Sequence, residues 1–194
     1  SIGSMAAVLV DAIAPTVSSV AVPANDTYVV GETLSFTVSS TENVTVNTGG
    51  GTPRIAVTIG GTTRYASYAS SSGTTNLVFS YTVQAGDNDT DGIMLASSID
   101  DNGGTLLDGA GNNLVLTLNS VGSTVAILVD TAAPTVQSFS PADGDVNVAI
   151  GANFVLTMNE DIQLGAGNIV IYDADDLAVA TIDVGSPAGQ LTIA

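Results

Sequence analysis

Between Gly86 and Gly92 the chain reads Gly-Asp-Asn-Asp-Thr-Asp-Gly, with carboxylates at the alternate positions Asp87, Asp89 and Asp91. Alternating acids closed by glycine are how a short loop curls around a hard cation, the glycine permitting the sharp turn. Two such carboxylates about 5 Å apart repel by about 3 kcal/mol at an effective dielectric of about 20. The empty loop is therefore expected to splay, and a calcium ion to close it. It is not an EF-hand, because Ser98 stands where the twelfth-position glutamate belongs and alternating strands flank it instead of helices. The competing reading is a solvated acidic turn.

A second set of acids is dispersed along the chain: Asp11, Glu42, Asp100, Asp101, and Asp108 with Asn112 in Asp-Gly-Ala-Gly-Asn. Successive loops of a β-sandwich alternate between its two ends. Counting turns from Asp11 places Glu42, Asp100, Asp108 and Asn112 at its end, and the Asp87 loop at the other, near Asp130. Asp130 and Glu160 repeat the parts of Asp11 and Glu42 further on. The candidate calcium ligands are thus Asp87, Asp89, Asp91, Asp11, Glu42, Asp108, Asn112, Asp130 and Glu160, and each module junction is expected to gather several of them. Aspartate and asparagine are also ordinary turn formers, and that alternative stays open for each. Asp143, Asp145 and the run Tyr172-Asp173-Ala174-Asp175-Asp176 read as turns with solvated acids.

Composition narrows the chemistry further. The 194 residues include no Lys, His or Cys; Arg54 and Arg64 are the only bases against 19 acids, for a net charge of −17. Nucleic acid and anionic membrane need clustered bases, so both are poor partners, and cations are natural ones. Ser-His-Asp and cysteine nucleophiles, Schiff-base lysines and zinc sites of His or thiolate are all excluded. A carboxylate-pair glycosidase survives that filter, but the chain has no Trp to hold a sugar. Phe36, Phe79, Tyr81 and Phe154 sit in alternating apolar segments and read as core, so no enzyme is expected. No apolar run reaches the length of a membrane span. Without cysteine, disulfides are not what holds the fold together.

The elements that would position these acids come from a repeat. Ser120 to Val136, S-V-G-S-T-V-A-I-L-V-D-T-A-A-P-T-V, nearly reproduces Ser1 to Val17, S-I-G-S-M-A-A-V-L-V-D-A-I-A-P-T-V, at an offset of 119 residues. Pro23-Ala24, Gly31, Leu34, Phe36, Thr37, Glu42 and Val44 find counterparts in Pro141-Ala142, Gly151, Phe154, Leu156, Thr157, Glu160 and Ile162. A domain-sized period marks a tandem array. Residues 1–10 are read as the tail of a preceding repeat, 11–130 as a complete module and 131–194 as part of a second.

Alternation at Leu34-Phe36-Val38, Ile55-Val57-Ile59, Leu77-Phe79-Tyr81-Val83, Leu114-Leu116-Leu118 and Val125-Ile127-Val129 has the period of half-buried strands, and no helical stripe appears. Gly60-Gly61 predicts a tight hairpin pairing Arg54 to Ile59 with Thr62 to Ala69. The second module continues with Phe154-Leu156-Met158, Ile169-Ile171 and Val179-Thr181. The expected fold is all-β, as tandem immunoglobulin-like antiparallel β-sandwiches. A seven-strand sandwich takes about a hundred residues. The second module is therefore expected to be completed by further chain or by a neighbouring copy.

The motifs V-D-x-x-A-P-T-V, G-x-T-L-x-F-T-V, T-P-R-I, G-T-T-x-L-V-F-x-Y-T-V, G-D-x-D-x-D-G-I and D-G-A-G-N together resemble the Ig-like repeats of very large bacterial surface adhesins, many of the RTX class exported by type I secretion. A-P-T-V-Q-S-F-S-P-A-D-G, F-V-L-T-M-N-E-D-I and G-N-I-V-I-Y-D resemble a bacterial Ig-like module of S-layer and adhesin proteins. The resemblance implies calcium-stiffened extracellular extender modules on the bacterial cell surface, packed against neighbouring modules of the same chain and holding a ligand-binding region away from the cell. Two alternatives accompany it: a polymer-forming subunit completed by a neighbouring chain, and a module that itself binds a glycan or protein.

Overall fold

The computed structural model describes residues 10–142, 144–173 and 175–185. The chain divides between Ala132 and Ala133 into two compact units. All regular structure among the described residues is strand. The expectation for residues 1–9 falls outside the described residues, as does that for Asp143.

The first unit is built on β1 (Val17–Ala21), β2 (Asp26–Tyr28), β3 (Thr33–Asn47), β4 (Arg54–Ile59), β5 (Thr62–Ser70), β6 (Thr74–Thr82), β7 (Met94–Asp100), β8 (Thr105–Leu107) and β9 (Ile127–Val129). Its main sheet runs β1-β3-β6-β5-β4-β7, and β8 pairs with the far part of β3. The β4–β5 hairpin closes through Gly60 and Gly61 with Ile59 opposite Thr62, in the register the sequence predicts. Period-two alternation makes this sheet one-sided: Leu34, Phe36 and Val38 of β3 and Leu77 and Phe79 of β6 are fully buried, while the residues between them are not. Each such side chain contributes about 1.5–3 kcal/mol by leaving water. Phe79 meets Tyr68 edge to face at 5.8 Å between ring centres.

Two expectations change in detail. The Leu114-Leu116-Leu118 segment forms no continuous strand. It makes single bridges instead, Thr16 with Val115 on the β1 side and Ser98 with Thr117 on the β7 side, and Val121 just after it bridges to Val20 of β1. Lying between the two outer strands of the sheet, it buries Leu114 and Leu118 and closes one core. Val125 is also exposed, and its strand begins only at Ile127. β9 then pairs with β2 in parallel, Asp26 opposite Ile127, a pairing that alternation does not reveal.

The second unit contains β10 (Val136–Ser140), β11 (Val155–Met158), β12 (Asn168–Tyr172) and β13 (Ala178–Asp183), in two separate antiparallel pairs, β10–β11 and β12–β13. By the repeat, which sets Val136 on Val17 and Leu156 on Phe36, the β10–β11 pair corresponds to β1–β3 of the first unit. There β6 joins β3 to β5, whereas among the described residues of the second unit no strand holds that position. Phe154 is accordingly 66 % exposed and Leu156 51 %, although their counterparts Leu34 and Phe36 are at 0 %. Phe154, expected in the core, is thus exposed among the described residues. The Tyr172 to Asp176 segment is the expected turn: the Asp173 carboxylate accepts from the N–H groups of Asp175 (3.0 Å) and Leu177 (2.9 Å).

Candidate cation sites of the first unit

Strand β3 separates the two acidic ends. It starts at Thr33 opposite Thr82, beside the Asp87 loop, and reaches Glu42 about 30 Å further along at the usual rise per residue.

At the Glu42 end three acids distant in sequence meet. One carboxylate oxygen each of Asp11, Glu42 and Asp108 lies within 4.8 Å of the others, the one such acidic group among the described residues. Asp108 is buried, Glu42 half-buried and Asp11 exposed. The turn 108–112 is wound around the Asp108 carboxylate: Oδ1 accepts from the N–H groups of Ala110 and Asn112, each at 2.8 Å, and Oδ2 accepts from the Asn112 side-chain amide at 2.8 Å. The same amide nitrogen donates to the carbonyls of Asp11 (3.4 Å) and Ile13 (3.3 Å), fastening the incoming segment to the turn. Burial is the largest influence on Asp108 and favours its neutral form, but the donors from Asn112, Ala110 and Gly111 together outweigh it and hold the group below its ordinary pKa. It is therefore a carboxylate at neutral pH. Three like charges at this spacing repel, and a divalent cation reverses the sign. Asn112, expected among the ligands, places its amide nitrogen on protein acceptors and acts as the tie that positions the acids.

The Asp87 end is arranged differently. Asp87 is 2 % exposed and points into the unit. Its Oδ1 accepts from Arg64, with Nε and Nη2 each at 2.7 Å, and its Oδ2 accepts from the Tyr81 hydroxyl and from the Gln84 N–H at 2.9 Å. Asp89 caps the loop: Oδ2 accepts from Gly60 N–H at 2.7 Å, and Oδ1 from Gly92 (2.7 Å) and Asp91 (3.2 Å). Asp91 stays exposed. The three alternate carboxylates thus take separate partners, and Arg64 places a positive charge beside Asp87 that offsets their mutual repulsion. Desolvation, the largest influence on Asp87, is outweighed by Tyr81, Gln84 and Arg64, so its pKa is lowered. Burial first, and then the bond to Asp87, push the Tyr81 hydroxyl up to about 12. The bond to Asp87 raises the pKa of Arg64. Sequence reasoning missed Arg64 and Tyr81. The signal was there in part, since Arg64 is one of only two bases in the chain.

The remaining candidates fall elsewhere. Asp100 pairs with Arg54 (2.8 Å), which lowers its pKa, and Arg54 also stacks over Tyr65; Asp100 and Asp101 are not in the three-acid group. Asp130 repeats the local structure of Asp11: its Oδ1 accepts from Ala132 N–H at 2.9 Å, as Asp11 Oδ1 accepts from Ile13 N–H at 3.0 Å. In the second unit, Oε1 of Glu160 is shut off from solvent with no hydrogen-bond partner among the described residues.

No curated protein and no solved structure matches the chain. A family model described as a bacterial Ig-like domain matches residues 130–194. With its strands paired antiparallel except for β2 and β9, and no helix among the described residues, the chain is all-β, and over residues 130–194 it is similar to the bacterial Ig-like domains typical of extracellular and surface proteins.

Proposed function

We propose that this chain is a calcium-stabilised spacer segment of a bacterial surface adhesin or extracellular filament, projecting a ligand-binding region from the cell. The observation that carries the reading is the convergence of Asp11, Glu42 and Asp108 within 4.8 Å where the chain enters the first unit. An all-oxygen, partly solvated group suits calcium. An ion there ties the incoming segment to β3 and to the 108–112 turn, which resists bending at that point. Glu160, at the repeat position of Glu42, carries a buried oxygen with no partner among the described residues and supports an equivalent role for the second module. The family match at residues 130–194 supports the surface setting. Extracellular calcium sites bind at about 0.1–1 mM, so at millimolar calcium each adds about 0.4–1.4 kcal/mol.

The test is thermal melting with small-angle scattering, in calcium and in chelator, on the chain and on Asp108→Asn. A higher melting temperature and a more extended form in calcium, both lost in Asp108→Asn, are expected. Identical melting and scattering in the two conditions would sink the reading.

A second reading, a polymer-forming subunit, is favoured by the exposed apolar side chains Phe139, Phe154 and Leu156 on β10, β11 and their approach. Sedimentation velocity separates the two, since a monodisperse monomer over a wide concentration range counts against assembly.

A further inference from the structure

We propose that the Arg64–Asp87–Tyr81 network is a metal-independent latch that seats the segment leaving the first unit, Val129–Thr131, so that divalent cations act on the Asp11 end of this unit and not on the Asp87 end. Both oxygens of Asp87 are taken by protein donors: Arg64 from β5, Tyr81 from β6, and the Gln84 N–H of the loop itself. Arg64 thus occupies the electrostatic place of a cation, and a carboxylate already holding this set of donors has no lone pairs directed at a metal. Leaving Asp87 buried without Arg64 would strand a charge, which makes the pairing obligatory for the loop as folded.

The loop so fixed grips the departing chain residue by residue. Asp89 exchanges both backbone hydrogen bonds with Val129, at 2.7 and 2.9 Å. Asn88 Oδ1 accepts from Thr131 N–H at 2.8 Å, and Gly86 N–H donates to the Thr131 hydroxyl at 2.9 Å. On the other side Asp130 N–H donates to the Tyr28 carbonyl at 3.0 Å. Gly60 completes the grip: it sits so close to the Asn88 carbonyl that a Cβ there would lie 1.9 Å from the oxygen. The loop residues on either side of Asp87, Gly86 before it and Asn88 and Asp89 after it, therefore hold Val129 and Thr131 only while Asp87 anchors the loop to β5 and β6.

Amide hydrogen exchange by NMR on the whole chain tests this, comparing wild type, Arg64→Met and the milder Tyr81→Phe, each in calcium and in chelator. In wild type, exchange at Val129 and Thr131 is expected to be the same with and without calcium. Arg64→Met is expected to speed it at least tenfold, Tyr81→Phe by a smaller factor, with Val129 and Thr131 exchanging faster in both variants than the β4 and β6 amides Ile55 and Phe79, as a local opening requires. Faster exchange at Thr131 on chelation in wild type, or unchanged exchange at Thr131 in both variants, would overturn the latch. Should Arg64→Met fail to fold, Tyr81→Phe alone decides. Ile13 and Asn112 amides report the other end in the same spectra: their indifference to calcium would defeat the calcium reading and leave the latch standing.

Discussion

The two acidic ends of the first unit carry carboxylates in similar number and put them to opposite uses. At one, Asp108 is held ionised by neutral donors, and Asp11 and Glu42 face it with no base in the group. At the other, Asp87 is held by a guanidinium and a phenol, and Asp89 by three backbone N–H groups. The difference teaches that an acidic loop is a cation site only where its charge is left uncompensated. Spacing within the loop is a weaker guide than whether one distant base folds onto it.

The largest effect that would break this contrast is removal of the compensating charge. Arg64→Met should destabilise the first unit by about 3 kcal/mol in urea unfolding, since it leaves Asp87 buried and alone. Adding Asp87→Asn should recover much of the loss. A small effect in the single variant would mean that Asp87 is not dependent on its partner.

Gly60→Ala attacks the same end by shape. Its Cβ would lie 1.9 Å from the Asn88 carbonyl at a φ of +52°, so a cost of about 2 kcal/mol is expected, with the calcium response of the protein unaltered. Differential scanning calorimetry with and without calcium checks both parts.

Titration sharpens the comparison next. Asp87 has a lowered pKa in the fold, so its contribution is present above the unfolded value, ordinarily 3.8, and is lost as pH falls through the lower folded value. Tyr81 is raised, so its contribution is complete below pH 10 and disappears as pH climbs toward about 12. Unfolding midpoints followed over both limbs should show Tyr81→Phe flattening the alkaline limb, while Asp108→Asn leaves it in place.

The smallest effect belongs to calcium. About 0.4–1.4 kcal/mol at millimolar concentration is expected for the wild type and none for Asp108→Asn. Isothermal titration should give one weak site in the first unit, still present in Arg64→Met.

Much of the fold was legible because strand patterning is a local property. Leu34, Phe36 and Val38 alternate in the sequence as they do in burial, and Gly60-Gly61 marks the β4–β5 turn through the backbone conformations glycine permits. The parallel β2–β9 pair and the bridging segment around Leu114–Leu118 were not legible, since pairing between segments about a hundred residues apart leaves no periodic trace. The meeting of Asp11, Glu42 and Asp108 could be anticipated by counting turns from one end of a sandwich to the other. The same counting placed Asp100 with them, where Arg54 holds it apart.

Composition and pattern decided that this chain is all-β, repeated, strongly acidic and without most nucleophiles and bases that catalysis uses, because those properties are sums over residues and do not depend on where each one goes. Which acids stand uncompensated was decided only in three dimensions. Arg64 lies 23 residues from Asp87 and Tyr81 six, and nothing in their spacing sets them on one carboxylate until β5 and β6 lie side by side. The reason is electrostatic: a charge is screened or exposed according to its neighbours within a few ångströms, and folding chooses those neighbours.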